Sequence, residues 1–129
     1  MIKTAIAISA VVLSVSPSYA QSRPISSVEK TLITTTYGNQ LKDAGSAQYR
    51  MQPIPLADNQ KDGKTVYCFE VNAKNSYGGY TGYKVVIGRV SRMSGKVTSY
   101  TYDGNSGDDA RSLPGATADM CRVFGYSLP

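Results

Sequence analysis

The chain has 129 residues, a formal charge of +5, two cysteines and no histidine. Its length predicts one small domain. Without histidine it lacks the commonest general base and the commonest metal ligand, so we expect no metal and no cofactor. Its lysines and arginines are scattered rather than clustered into a basic run, which argues against nucleic acid as a partner.

Residues 1–20 have the pattern of a secretory signal. One lysine precedes an apolar run over residues 5–15, and the small residues Ser18 and Ala20 follow it. This pattern predicts cleavage after Ala20 and a periplasmic or secreted protein. A retained anchor is the alternative, but the run is too short to span a bilayer comfortably. The mature chain, residues 21–129, should not span a membrane and should form a single α+β domain.

The first element after the leader is predicted to be a helix. Ser26 and Glu29 have the spacing of a capping box, and three threonines and Gly38 favour a break near that glycine, with the helix ending by Gly45. The apolar positions predict one buried stripe: Val28, Leu32, Ile33, Tyr37 and Leu41.

Four segments then have the character of strands. The first, around Tyr49 and Met51, is confined to a sheet edge or ends early because Pro53 and Pro55 follow it. A turn-rich, charged connection separates it from the strongest strand, residues 65–73.

In that strongest strand Val66 and Cys68 share one face, and Tyr67, Phe69 and Val71 share the other.

Residues 81–90 and 97–103 complete an antiparallel meander of three to four strands, with Gly88 a candidate bulge. A short helix is predicted over residues 116–126, and we expect both helices to pack on one face of the sheet.

Cys68 and Cys121 are predicted to form a disulfide, because an exported chain with an even cysteine count is normally oxidised. Two buried free thiols are the alternative. The bond would join the last helix to the central strand.

The segment VNAKNSYGGYTGYK, residues 71–84, contains the candidate binding site. We call residues 72–83 the Tyr-Gly loop. Glycine and asparagine there suit a hairpin turn, while tyrosine provides a large contact area at low entropic cost. The segment is therefore either a connection between strands or a binding surface. The candidate binding residues are Asn72, Lys74, Asn75, Tyr77, Gly78, Gly79 and Tyr80. Tyr83 is expected on a packed face, in register with Val85 and Ile87.

A carboxylate pair is the one form of catalysis that the composition leaves open, because glycoside hydrolysis needs only two carboxyl groups. Its members would come from Glu70, Asp103, Asp108 and Asp109. A structural role for Glu70 is the preferred interpretation, with Arg122 a candidate ion-pair partner. Residues 103–109, DGNSGDD, are similar to a calcium loop but lack its closing glutamate, so a solvated turn is favoured.

The blocks LKDAGSAQYR and VYCFEVNAKNSYGGYTGYK resemble a largely uncharacterised family of small exported proteins of Gram-negative bacteria. The family pattern runs L-K-D-P-x-S-A-x-F-R, then V-C-G-x-V-N-A-K-N-x-x-G-G-Y-x-G. Ala44 replaces the family's proline, and Phe69 replaces the glycine after the cysteine. The resemblance implies an exported protein of this fold and no established activity.

The sequence thus predicts an exported binding or accessory protein of the cell envelope, with another envelope protein or an envelope polymer as its partner. An inhibitor of an envelope-directed hydrolase is the second hypothesis. A carboxylate-based glycan-acting enzyme is the third, and an enzyme is the less favoured class.

Overall fold

A computed structural model describes residues 9–14, 21–56, 60–61, 63–103 and 115–128. Most of the predicted leader lies outside these residues. Residues 9–14, which belong to it, form neither helix nor strand.

The described chain contains two α-helices, one short 3₁₀ helix (Ala44–Ser46) and seven strands, so the predicted α+β class is confirmed. The α-helices are α1 (Ser27–Gly38) and α2 (Ala116–Val123). The strands are β1 (Ser22–Arg23), β2 (Gln48–Met51), β3 (Ile54–Pro55), β4 (Gln60–Lys61), β5 (Lys64–Lys74), β6 (Tyr80–Met93) and β7 (Lys96–Tyr102). No helix in the described part of the chain has the length and apolar character needed to cross a bilayer.

The main sheet has the antiparallel order β2-β5-β6-β7, and β4 also pairs with β5. Strand β2 lies at an edge, as Pro53 and Pro55 after it predict, and β5 to β7 form the expected meander. A separate two-stranded ladder joins β1 to β3. The two-residue strands β1, β3 and β4 were not predicted, because they are too short to show a hydrophobic period.

The two helices contact opposite faces of the sheet, so the expectation that both pack on one face is wrong. Tyr37 of α1 meets Phe69 edge-on, with ring centroids 5.5 Å apart. Cys121 of α2 is bonded to Cys68, which is adjacent to Phe69 on β5 and therefore points to the other face. Both faces of β5 are apolar enough to be covered, and each receives one helix.

The Cys68–Cys121 disulfide is confirmed, with both residues fully buried. Beyond α2, the chain crosses to the face of the sheet that α1 covers. There the ring of Tyr126 packs edge-on against Tyr67, and its hydroxyl donates to the carbonyl oxygen of Val66 at 2.6 Å. The C-terminal segment therefore contacts β5 on both of its faces.

Helix α1 begins with the predicted capping box. The Ser26 hydroxyl accepts from the Glu29 N–H, and the Glu29 carboxylate accepts from the Ser26 N–H. The predicted buried stripe is only partly right. Val28 is 63% exposed, whereas Glu29 is 1% exposed.

Two arginines explain the burial of Glu29. Arg23 donates to both carboxylate oxygens at 2.8 and 2.9 Å, and Arg92 donates to Oε2. Arg92 also donates to the hydroxyl of the buried Thr65 at 2.7 Å. Burial alone would raise the pKa of Glu29, but the hydrogen bonds from Arg23 and Ser26 outweigh it and lower the pKa to about 2. The cluster joins β1, α1 and β6.

Gly88 is not a bulge. It pairs with Tyr67 and Tyr102, and the irregularities of β6 lie elsewhere, between Ser91 and Arg92 and opposite residues 72–74. Position 88 is instead covered by the ring of Tyr100, whose hydroxyl oxygen would lie 2.3 Å from an added Cβ. Glycine is therefore required by the close approach of an aromatic ring.

Candidate functional site

The Tyr-Gly loop contains a tight hairpin turn that joins the end of β5 to the start of β6, and this turn is shorter than the sequence suggested. Asn72 and Lys74 lie in β5, Tyr80 begins β6, and only residues 75–79 connect the strands. The N–H of Gly78 donates to the Asn75 carbonyl at 3.1 Å, and the N–H of Asn75 donates to the Gly79 carbonyl at 2.8 Å.

These bonds leave Ser76, Tyr77 and Gly78 as a three-residue turn, in which the third residue adopts a left-handed conformation. Gly78 has φ of 81°, which meets that requirement. The turn chemistry therefore accounts for Gly78 without any reference to binding.

The side chain of Asn75 fixes the turn from within. Its Oδ1 accepts from the N–H groups of Tyr77 at 2.9 Å and of Gly79 at 3.1 Å. Asparagine commonly makes such bonds to the backbone two residues further on. The loop backbone is held by its own hydrogen bonds before any partner arrives.

Tyr77 projects from the tip of this turn and is 97% exposed. The turn requires no aromatic residue at that position, and the ring is almost wholly in water. A rigid, amphipathic ring on a fixed backbone provides contact area at little entropic cost. Among the seven candidate binding residues, Tyr77 is the one whose side chain the fold does not explain.

Tyr80, by contrast, is tied to the rest of the protein. Its hydroxyl donates to the Ser46 carbonyl at 2.8 Å, and the Nζ of Lys74 lies 5.3 Å from its ring centroid. The ring is 45% exposed, so one part of it braces the hairpin and the other is accessible. A second brace comes from Lys42, whose Nζ donates to the Ser76 hydroxyl.

Asn72 supports the base of the hairpin. Its Oδ1 accepts from the N–H of Gly82 at 3.0 Å, and its Nδ2 donates to Gln48 Oε1 at 3.2 Å. Gly82 has φ of 95° beside an irregularity in the β5–β6 pairing. Asn72 and Gly82 thus shape the strand ends that carry the turn.

Tyr83 is 37% exposed, so the expectation that it lies on a packed face is wrong. The guanidinium carbon of Arg50 lies 3.6 Å from its ring centroid, and Arg50 Nη1 lies 3.9 Å from Oε1 of Glu70. A buried carboxylate and an aromatic ring therefore orient a half-exposed guanidinium next to the hairpin. No pattern in the sequence linked Arg50 to this loop, because the contact depends on how β2 pairs with β5.

Glu70 is 5% exposed and pairs with Arg50, which supports its structural interpretation. Arg122, the partner considered from the sequence, pairs instead with Asp119 at 2.7 Å. Asp108 and Asp109 lie outside the described residues, as does most of the segment DGNSGDD. Within the described ranges, no three acidic or cysteine side chains are grouped as a metal site would require.

A cleft of about 230 Å³ lies between α2 and the sheet. Its lining includes Asp103, together with apolar side chains such as Val66, Ile87 and Phe124. Glu70 does not line it. Glu70 and Asp103, the two candidate catalytic carboxylates that the structure describes, therefore do not both line this cleft.

The fold and the site together define a class: a small, disulfide-bonded α+β protein that presents an internally fixed aromatic hairpin. Comparison of the chain with protein-family models, curated proteins and solved structures finds no match. Its function is therefore inferred from the residues and geometry described above.

Proposed function

We propose that this is an exported binding or accessory protein of the cell envelope, and that the Tyr-Gly loop is its contact surface. The observation that carries the proposal is Tyr77, which is 97% exposed on a turn held by the Asn75 side chain. Export is supported by the leader pattern of residues 1–20 and by the buried disulfide.

Other residues of the hairpin also suit recognition. Tyr80 and Tyr83 in β6 are half-exposed, and Lys74 and Arg50 lie over their respective rings. Tyrosine and arginine are enriched among the residues that dominate binding energy at interfaces. The hairpin would meet a partner with little loss of conformational freedom, because its turn is already ordered by four hydrogen bonds.

The test compares Tyr77→Ser with wild type as baits for a Gram-negative envelope extract. Wild type should retain a component that Tyr77→Ser loses, and the purified component should bind the variant about 30-fold more weakly, which corresponds to about 2 kcal/mol. Met93→Ser is the matched control, since Met93 is 71% exposed at the end of β6, next to the β6–β7 turn. Equal recovery by wild type and Tyr77→Ser would refute the proposal.

An inhibitor of an envelope-directed hydrolase is the second candidate. It is favoured by the exposure of Tyr77 on a tight turn, because such a turn can enter a cleft. If the recovered component is a hydrolase, an equimolar amount of wild type should suppress its turnover and Tyr77→Ser should not. Binding without suppression would leave the accessory role and exclude inhibition of that enzyme.

A further inference from the structure

Cleavage after Ala20, which the leader pattern predicts, would make Gln21 the first residue of the mature protein. An amino-terminal glutamine carries its own electrophile, because attack of its α-amine on its side-chain amide closes a five-membered ring. We propose that Gln21 is a modification site that cyclises to pyroglutamate. The proposal rests on the proposed export and is independent of the Tyr-Gly loop.

The reaction is balanced without any added reactant. The neutral α-amine attacks Cδ of the same residue, the bond between Cδ and Nε2 breaks, and the nitrogen leaves as ammonia with a proton taken from the amine. The product is a lactam that retains one N–H. An α-amine with an ordinary pKa of about 8 is partly neutral at pH 7, so the nucleophile is available.

The structure leaves Gln21 free to undergo this step. The residue is exposed. Its carbonyl oxygen accepts from the N–H of Leu56 at 2.9 Å, which holds the backbone on its C-terminal side. Ring closure involves only N, Cα, Cβ, Cγ and Cδ, so it leaves that carbonyl in place. The lactam and the pairing of β1 with β3 are therefore compatible.

The chain next to Gln21 is firmly held. Ser22 pairs with Pro55, and the guanidinium of Arg23 donates to both carboxylate oxygens of the buried Glu29. One residue thus precedes the ordered strand, and cyclisation would need no other residue to move. The modification would remove a positive charge two residues from Arg23 and would block the terminus to aminopeptidases.

The test uses the full chain, expressed with its leader in a Gram-negative host and isolated from the periplasm. After prolonged incubation near neutral pH, the intact mass should equal that of disulfide-bonded residues 21–129 less one ammonia. Amino-terminal sequencing should give no signal until pyroglutamate aminopeptidase is added, and should then begin at Ser22. A mature chain that still begins with free Gln21 would overturn the modification while leaving the proposed export intact.

Gln21→Ser is the matched control, because serine keeps the backbone carbonyl that Leu56 uses but cannot form the ring. This variant should show a free amino terminus, its full mass and an unchanged melting temperature. Loss of ammonia from the variant as well would place the reaction at another residue and overturn the assignment. A chain that retains its leader, or begins elsewhere, would overturn both the modification and the proposed cleavage.

Discussion

Replacing Gly88 with alanine should destabilise the sheet, because the ring of Tyr100 occupies the space above residue 88. A Cβ at this position would lie 2.3 Å from the Tyr100 hydroxyl oxygen and 2.5 Å from Cε2 and Cζ. Tyr100 is 4% exposed and is packed near Phe69 and Tyr102, so its ring cannot move aside freely. The backbone at residue 88 is not left-handed, and the conflict is therefore with the ring alone.

The magnitude follows from two opposing effects. Overpacking in a core costs about 1–3 kcal/mol. Alanine also restricts the unfolded chain, which offsets about 0.4–1 kcal/mol of that cost. The net loss of unfolding free energy should be about 1–2 kcal/mol, which lowers the melting temperature of a domain this small by roughly 5–10 °C.

Urea denaturation followed by circular dichroism would measure this loss. Gly45→Ala is the matched control, because no atom lies within 4 Å of a Cβ at that exposed position. In a Tyr100→Val background the ring is absent, so Gly88→Ala should add no further cost. An equal cost in both backgrounds, or no cost in the wild-type background, would show that the ring is not what requires glycine.

Two further predictions concern charge. The pKa of Glu29, lowered from 4.5 to about 2, contributes stability that is complete above about pH 5 and is lost as the pH falls towards 2. Denaturation series at decreasing pH should show a loss of about 3 kcal/mol in the free energy of unfolding. In Glu29→Gln the free energy of unfolding should depend less on pH in that range. An equally steep pH dependence in the variant would assign the acid sensitivity to other carboxylates. Tyr83→Ala should lower the free energy of unfolding by about 1 kcal/mol, mainly because the contact with Arg50 is lost. A buried aromatic residue would cost about 3–5 kcal/mol, and melting curves that show this larger loss would place the ring in the core.

Local sequence signals predicted the elements that depend on local interactions. The capping box at Ser26 and Glu29 is confirmed because both of its bonds lie within one helical turn. The strand over residues 65–73 is confirmed within β5 because its β-branched and aromatic residues favour a sheet. The disulfide was predicted from cysteine parity and compartment, which require no geometry.

Features that depend on distant pairing were missed. Nothing local indicates that Arg92, 63 residues further along the chain, donates to the carboxylate of Glu29. The face that each helix covers could not be read from β5, because apolar residues occupy both of its faces. At the candidate site, the sequence identified the turn-forming residues, whereas the stacking of Arg50 on Tyr83 arises only once β2, β5 and β6 lie side by side.

The double contact of the C-terminal segment with β5 bears on when this protein can fold. Synthesis runs from the amino terminus, so Cys121 and Tyr126 are made after the described strands β1 to β7. Until then Cys68 lacks its partner, and the ring of Tyr67 lacks the neighbour that packs edge-on against it. The nascent chain can form the β5–β6 and β6–β7 hairpins early, but the core around β5 is complete only after Cys121 and Tyr126 have been made. Residues 121–126 therefore close the fold after the sheet has formed, and until they are made β5 lacks a contact on each of its faces.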